Sequence, residues 1–196
     1  MLKRVGTKTH ARVDIVGKHN NKNALAHVHI SQNLDNGAIC TLGDFMSGEL
    51  MAREAVDVTG TTKREDIVML KAPEIVADES SKDLLALKYF YNQAGEIVRG
   101  YYLKDLDKIH VSAEAVTPID GSTPVAVGQY VIPDGTYKLK ASASDPGTTK
   151  FVGIVETVEE TGFPYFGSSA GVKTSNMGYV LDTRIVKVKI RVIKND

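Results

Sequence analysis

The chain has 196 residues, 42% of them hydrophobic and 24% charged, with 17 glycines, 6 prolines, one cysteine and no tryptophan. Such a length buries a core without disulfides or metals, and these proportions exclude a disordered chain and a fibrous repeat. The 24 basic and 24 acidic residues cancel, and with neither a leader-like segment nor a run of 18 apolar residues the expectation is a protein made and folded in a cytosol.

Charge is nonetheless uneven along the chain. Residues 1–23 contain Lys3, Arg4, Lys8, Arg12, Lys18 and Lys22 against Asp14 alone, an excess of five positive charges with few apolar side chains among them. Such a segment reads as a basic N-terminal arm that gains order from an acidic partner surface, with Lys3, Arg4, Lys8 and Arg12 as candidate contacts. Residues 24–196 then form a single β-rich domain, with 117–125 as the one place for an internal boundary.

After the arm, "AHVHIS" alternates, Val28 and Ile30 on one face and His27 and His29 on the other, which predicts a strand. Asn36-Gly37 has the chemistry of a tight hairpin turn, so "AICTL" is expected to pair with that strand. Cys40 lies in this apolar run and reads as a buried small hydrophobe. Further strands are predicted at 51–58 and at "DIVMLKA", whose nearly continuous apolar character places it deep in the core. In "SSKDLLALKYFYNQAGE", Leu84, Leu87, Tyr91 and Ala94 recur at three- and four-residue intervals, and Gly95 is placed to end a helix. The spacing predicts one short α-helix over 81–94, laid on an open end of the β-core.

The second half returns to strands: "IVRGYYL", "DKIHVSAEAV", "VAVGQYVI", "TYKLKAS", "KFVGIVETV" and "DTRIVKVKIRVIK". In the last, Val186, Val188, Ile190 and Val192 alternate with Lys187, Lys189 and Arg191, a buried face and a row of cations suited to an edge strand. The stretch 159–178, "EETGFPYFGSSAGVKTSNMG", reads as a long glycine-rich loop whose Phe163, Tyr165 and Phe166 are candidate docking residues. The fold class expected is mainly β, a barrel or sandwich-like domain with one short helix and an extended N-terminal arm.

Chemistry is sparse. His27 and His29 point the same way and could share a metal ion, but no spacing singles out His19, His110 or Glu54 as co-ligands, so a polar strand face is the expectation. G-x-S-x-G, P-loop and paired C-x-x-C motifs do not occur, so no enzyme, cofactor or metal is expected. Arg99, Tyr101 and Tyr102 could stack bases, yet Tyr89, Phe90 and Tyr91 are consecutive on the predicted helix and point in different directions. Nucleic acid is therefore not the expected partner.

The succession "NLDNGAICTLGD", "DIVMLKAPEIVADES" and "LKYFYNQAGEIVRGYYLKDLDKIHVSAEAV", within residues 33–116, resembles small virion structural proteins of tailed bacteriophages encoded near the major capsid protein. Those proteins run from an "NG-I-LG" hairpin to an "LVASPE"-like strand, then to "F-N-AG-ARGY-L" and "D-FSVT-EAL". The resemblance implies a non-enzymatic capsid decoration or auxiliary head protein. It would be present in many symmetric copies or as a homo-oligomer, would bind the major capsid protein and other virion proteins, and would be located in the virion without a membrane partner. An inner-capsid, connector or tail component is the alternative within that class, and a metal-binding cupin-like barrel enzyme the alternative outside it.

Overall fold

The computed structural model describes residues 14–17, 25–58, 67–73, 90–147, 151–161, 164–167, 179–182 and 185–195. The chain is mainly β, as its composition and periodicity predict. Five strands, β2 (Leu25–His29), β3 (Ile39–Phe45), β4 (Ala52–Asp57), β5 (Ile67–Leu70) and β6 (Ile97–Tyr102), close a barrel in the order β2-β4-β3-β5-β6. The pairing of β2 with β4 is parallel and the rest are antiparallel. Seven more strands, β1 (Asp14–Gly17), β7 (Lys108–Ser112), β8 (Val116–Thr117), β9 (Tyr130–Pro133), β10 (Leu139–Ser142), β11 (Phe151–Thr161) and β14 (Ile185–Asn195), form an open sheet in the order β1-β7-β14-β11-β9-β10-β8. The last two, β12 (Pro164–Gly167) and β13 (Tyr179–Asp182), pair with each other.

Side-chain alternation explains how the barrel and the sheet share residues. Within β5 every residue is buried: Val68 and Leu70 join Val28, Cys40, Leu42 and Val98 inside the barrel, while Ile67 and Met69 point the other way. There they meet Ile109, Val111, Val131, Phe151, Val188, Ile190 and Val192 of the sheet. A strand buried on both faces needs an unbroken apolar run, which is what "IVML" supplies. On β2, Val28 is fully buried and His27 exposed, the alternation expected from sequence. Gly100 faces the barrel interior, where a Cβ would sit 2.8 Å from Val28 Cγ2 and 3.2 Å from Val68 Cγ2. Strands on both sides of 117–125 belong to the same seven-stranded sheet, and Val125 lies in its core.

Three expectations are corrected. The Asn36-Gly37 turn forms, with Gly37 at φ 92, but it does not join a hairpin, because β2 lies between β4 and β6 and never pairs with β3. The chain instead crosses the barrel end, where Leu34 bridges Asn92 and the Asn36 side chain donates to the Ala72 carbonyl while accepting from the Ala72 amide. Parallel β2–β4 pairing requires an intervening crossover, and β3 provides it.

The predicted helix is not supported where the structure describes it. Residues 80–89, with Leu84 and Leu87, lie outside the described residues, and 90–94 is not helical. Asn92, buried, donates through Nδ2 to the Leu34 carbonyl and to Asn36 Oδ1, Tyr91 is half-buried, and Gly95 turns the chain into β6 at φ 89. A buried polar network outweighs the local 3.6-residue period there. Among the described residues the one helical element is the 3-10 turn Ala113–Ala115.

The third correction concerns β14, which is central rather than an edge, flanked by β7 and β11. Its cations face outward over a neighbouring carboxylate and do not guard a free edge.

Candidate functional site

The β11–β14 pair is the longest among the described strands, 11 residues on each side. Its final pairs are Glu160 with Val186 and Thr161 with Ile185; Pro164 and Asp182, each three residues further on, pair in a separate two-stranded sheet, β12–β13, with the same residue offset. Beyond Lys187, whose partner Ser112 is the last residue of β7, the hairpin has no third strand among the described residues. Val158 and Val186 are respectively 36% and 41% exposed, whereas Val188 is fully buried, so the apolar stripe of the sheet runs past the end of its core. The stretch read as a loop therefore holds strands in its described parts. Tyr165 and Phe166 lie on β12 and pair with Leu181 and Val180. Phe163, like Lys3, Arg4, Lys8 and Arg12, lies outside the described residues.

A second surface lies on the outside of the barrel. The β3–β4 hairpin ends in a tip where Leu50 is 93% and Met51 71% exposed, and with His27, Gly48, Glu49, Ala52 and Ile97 they line an open pocket of about 440 Å³. Nothing in the sequence marked this tip, because a loop carrying two apolar residues has no periodicity to read. The histidine pair is split by its neighbours. Parallel pairing sets His29 beside Glu54, and Nδ1–H donates to Oε2 at 2.7 Å, whereas His27 stands opposite Arg99 and Ala52. No group of three or more His, Cys, Asp or Glu side chains able to hold a metal ion occurs among the described residues.

Where barrel and sheet meet, Cys40, Asp57, Asp134 and Tyr137 come together. Burial, reinforced by the Asp57 charge, pushes the Cys40 thiol up to about 12, so at neutral pH it carries no thiolate to act as a nucleophile. Burial also raises Asp57, with the Asp134 carboxylate adding to the effect, and Asp57 Oδ1 has no hydrogen-bond partner among the described residues. Tyr137, at φ 63, accepts the Ile39 amide through its carbonyl at 2.9 Å, tying the loop after β9 to the barrel.

No protein-family model, curated protein or solved structure matches the chain. No helix among the described residues is long and apolar enough to cross a membrane.

Proposed function

We propose that this protein is a non-enzymatic structural component of a tailed-phage virion, a decoration or auxiliary head protein that binds the major capsid protein. The observation that carries the reading is the separate two-stranded sheet β12–β13, whose pairs keep the residue offset of β11–β14. A two-stranded ribbon is marginally stable by itself in water, and its cross-strand pairs join Tyr165 to Leu181 and Phe166 to Val180. Such a ribbon gains stability when a neighbouring subunit covers it, as repeated contacts in a symmetric shell would do. The apolar β3–β4 tip offers a further contact, and the resemblance of residues 33–116 to virion proteins supplies the context.

The basic segment fits the same role, lying against an acidic patch of a neighbouring subunit. Strand β1 falls within it and pairs with β7, so the segment is attached to the edge of the sheet. The test is co-sedimentation of the purified protein with capsid shells lacking it. Replacing Tyr165 and Phe166 by Ser should abolish co-sedimentation, and removing residues 2–13, which spares β1, should weaken it and reduce its sensitivity to salt. Undiminished co-sedimentation of both variants, or no association of the parent protein with shells, would refute the proposal.

A further inference from the structure

The outer face of the seven-stranded sheet carries a charge pattern that attachment to a shell does not account for. Val188, Ile190 and Val192 of β14 are fully buried, so Lys187, Lys189 and Arg191 face outward at steps of roughly 6.8 Å. Strand β7 sets His110 beside Lys189 and Lys108 beside Arg191. On the other side Arg191 pairs with Ile154, and Ile154 with Tyr130, so one row across four strands reads Lys108, Arg191, Ile154, Tyr130.

Glu156 is the focus of this face. It is the extra residue of a β-bulge, lying between Val155, which pairs with Ile190, and Thr157, which pairs with Lys189. Bulges re-aim side chains, and this one brings the carboxylate within 3.0 Å of Arg191 Nε, 3.2 Å of Lys108 Nζ and 3.7 Å of Lys189 Nζ. Glu156 thus gathers three positive charges and Glu159 stands opposite Lys187, so these four cations and two carboxylates leave a local excess of two. Strand β1 pairs with β7 on the far side and belongs to the segment with five excess positive charges, so that segment joins the fold at the edge of this face. The rest of the chain is acidic, with 24 − 6 = 18 basic against 24 − 1 = 23 acidic residues. The cations of the sheet are therefore concentrated against the overall trend of the body that carries them.

We propose that this face binds the phosphate backbone of a single nucleic-acid strand, without sequence preference. Regularly spaced, pre-positioned cations suit a chain of evenly spaced phosphates, and Tyr130 at the end of the row offers a ring on which a base can stack. An acidic protein segment would use the cations but not the ring. The inference goes beyond the assembly reading and does not depend on it, since a head protein can carry this face toward packaged nucleic acid or carry none.

The experiment is fluorescence anisotropy of a labelled 20-nucleotide oligo-dT with the full chain, between 50 and 200 mM salt. Four phosphate contacts at about 0.7 each predict a loss of affinity of roughly 50-fold over that range. Lys189→Gln/Arg191→Gln should weaken binding at least tenfold and make the salt dependence shallower by about 1.4 in slope, two contacts' worth. Glu156→Gln should tighten it several-fold, a gain that a purely structural role for the carboxylate would not produce, and Tyr130→Ala should weaken it. Circular dichroism verifies that each variant folds, and co-sedimentation of Glu156→Gln with shells, expected to be unchanged, separates this result from the assembly reading. Absence of saturable binding at 50 mM salt overturns the proposal. So does binding that Glu156→Gln fails to tighten and the double variant fails to weaken, or poly-glutamate competing as well as unlabelled oligo-dT.

Discussion

Replacing Gly100 by Ala tests whether the barrel is closed as tightly as its geometry indicates. Gly100 pairs with Ala26 of β2 and Leu70 of β5, and its φ is not left-handed, so the substitution carries no backbone strain. The new methyl would lie 2.8 Å from Val28 Cγ2 and 3.2 and 3.3 Å from Val68 Cγ2 and Cβ, inside a core where both valines are fully buried. Overpacking of this kind costs about 1–3 kcal/mol, and the lower chain entropy of Ala in a strand returns about 0.5–1 kcal/mol. The net expectation is a destabilisation of about 0–2.5 kcal/mol. Removing the obstructing methyls by Val28→Ala should cost about 1–3 kcal/mol alone, as two buried methyl groups do. It should cost about 1 kcal/mol less when Gly100→Ala is already present, because the two changes share one volume. Urea unfolding followed by circular dichroism measures all four corners of this cycle. If Gly100→Ala is stabilising, or if the two changes are strictly additive, then β2, β5 and β6 are not packed around Gly100 as described.

Asp57→Asn should raise stability at pH 7 and flatten its pH dependence: burial and Asp134 hold the folded-state pKa above the ordinary value near 3.9, so the folded protein binds more protons than the unfolded chain. Parent stability should accordingly gain from Asp57 as pH falls through the raised pKa toward about 4 and lose that gain as pH rises again, which thermal melts at several pH values will show. Cys40 should remain unreactive toward a thiol reagent at pH 8 until the protein is unfolded in denaturant, and rapid labelling of the native protein would contradict its burial. Asn92→Ala should cost about 1–3 kcal/mol in urea unfolding, since it leaves the Leu34 carbonyl and Asn36 Oδ1 short of a buried donor. Added zinc should leave the melting temperature of the parent and of a His27→Ala/His29→Ala variant unchanged; a zinc-dependent rise confined to the parent would show a metal site.

Much of the fold was legible because strand alternation is a local property. Val28 beside His27, the unbroken run Ile67–Leu70, and Val188, Ile190 and Val192 between cations each declare which face is buried, and the structure places them so. The burial of Cys40 followed from its neighbours in the same way. What periodicity cannot encode is which strand lies beside which. The Asn36-Gly37 turn has the local chemistry of a hairpin, yet β2 closes the barrel against β6 and β4, where Val28 fits over Gly100. The helical spacing that runs to Ala94 is not followed over the described residues 90–94, where the Asn92 side-chain amide donates to groups 56 and 58 residues away. The surfaces depend on tertiary structure even more. Lys108, Glu156 and Arg191 are remote in sequence, and only the order β7-β14-β11 with a bulge at Glu156 brings one carboxylate among three cations. Sequence determines which residues leave water, because burial follows the pattern of each strand; the partners they meet are set by packing, a property of the whole chain.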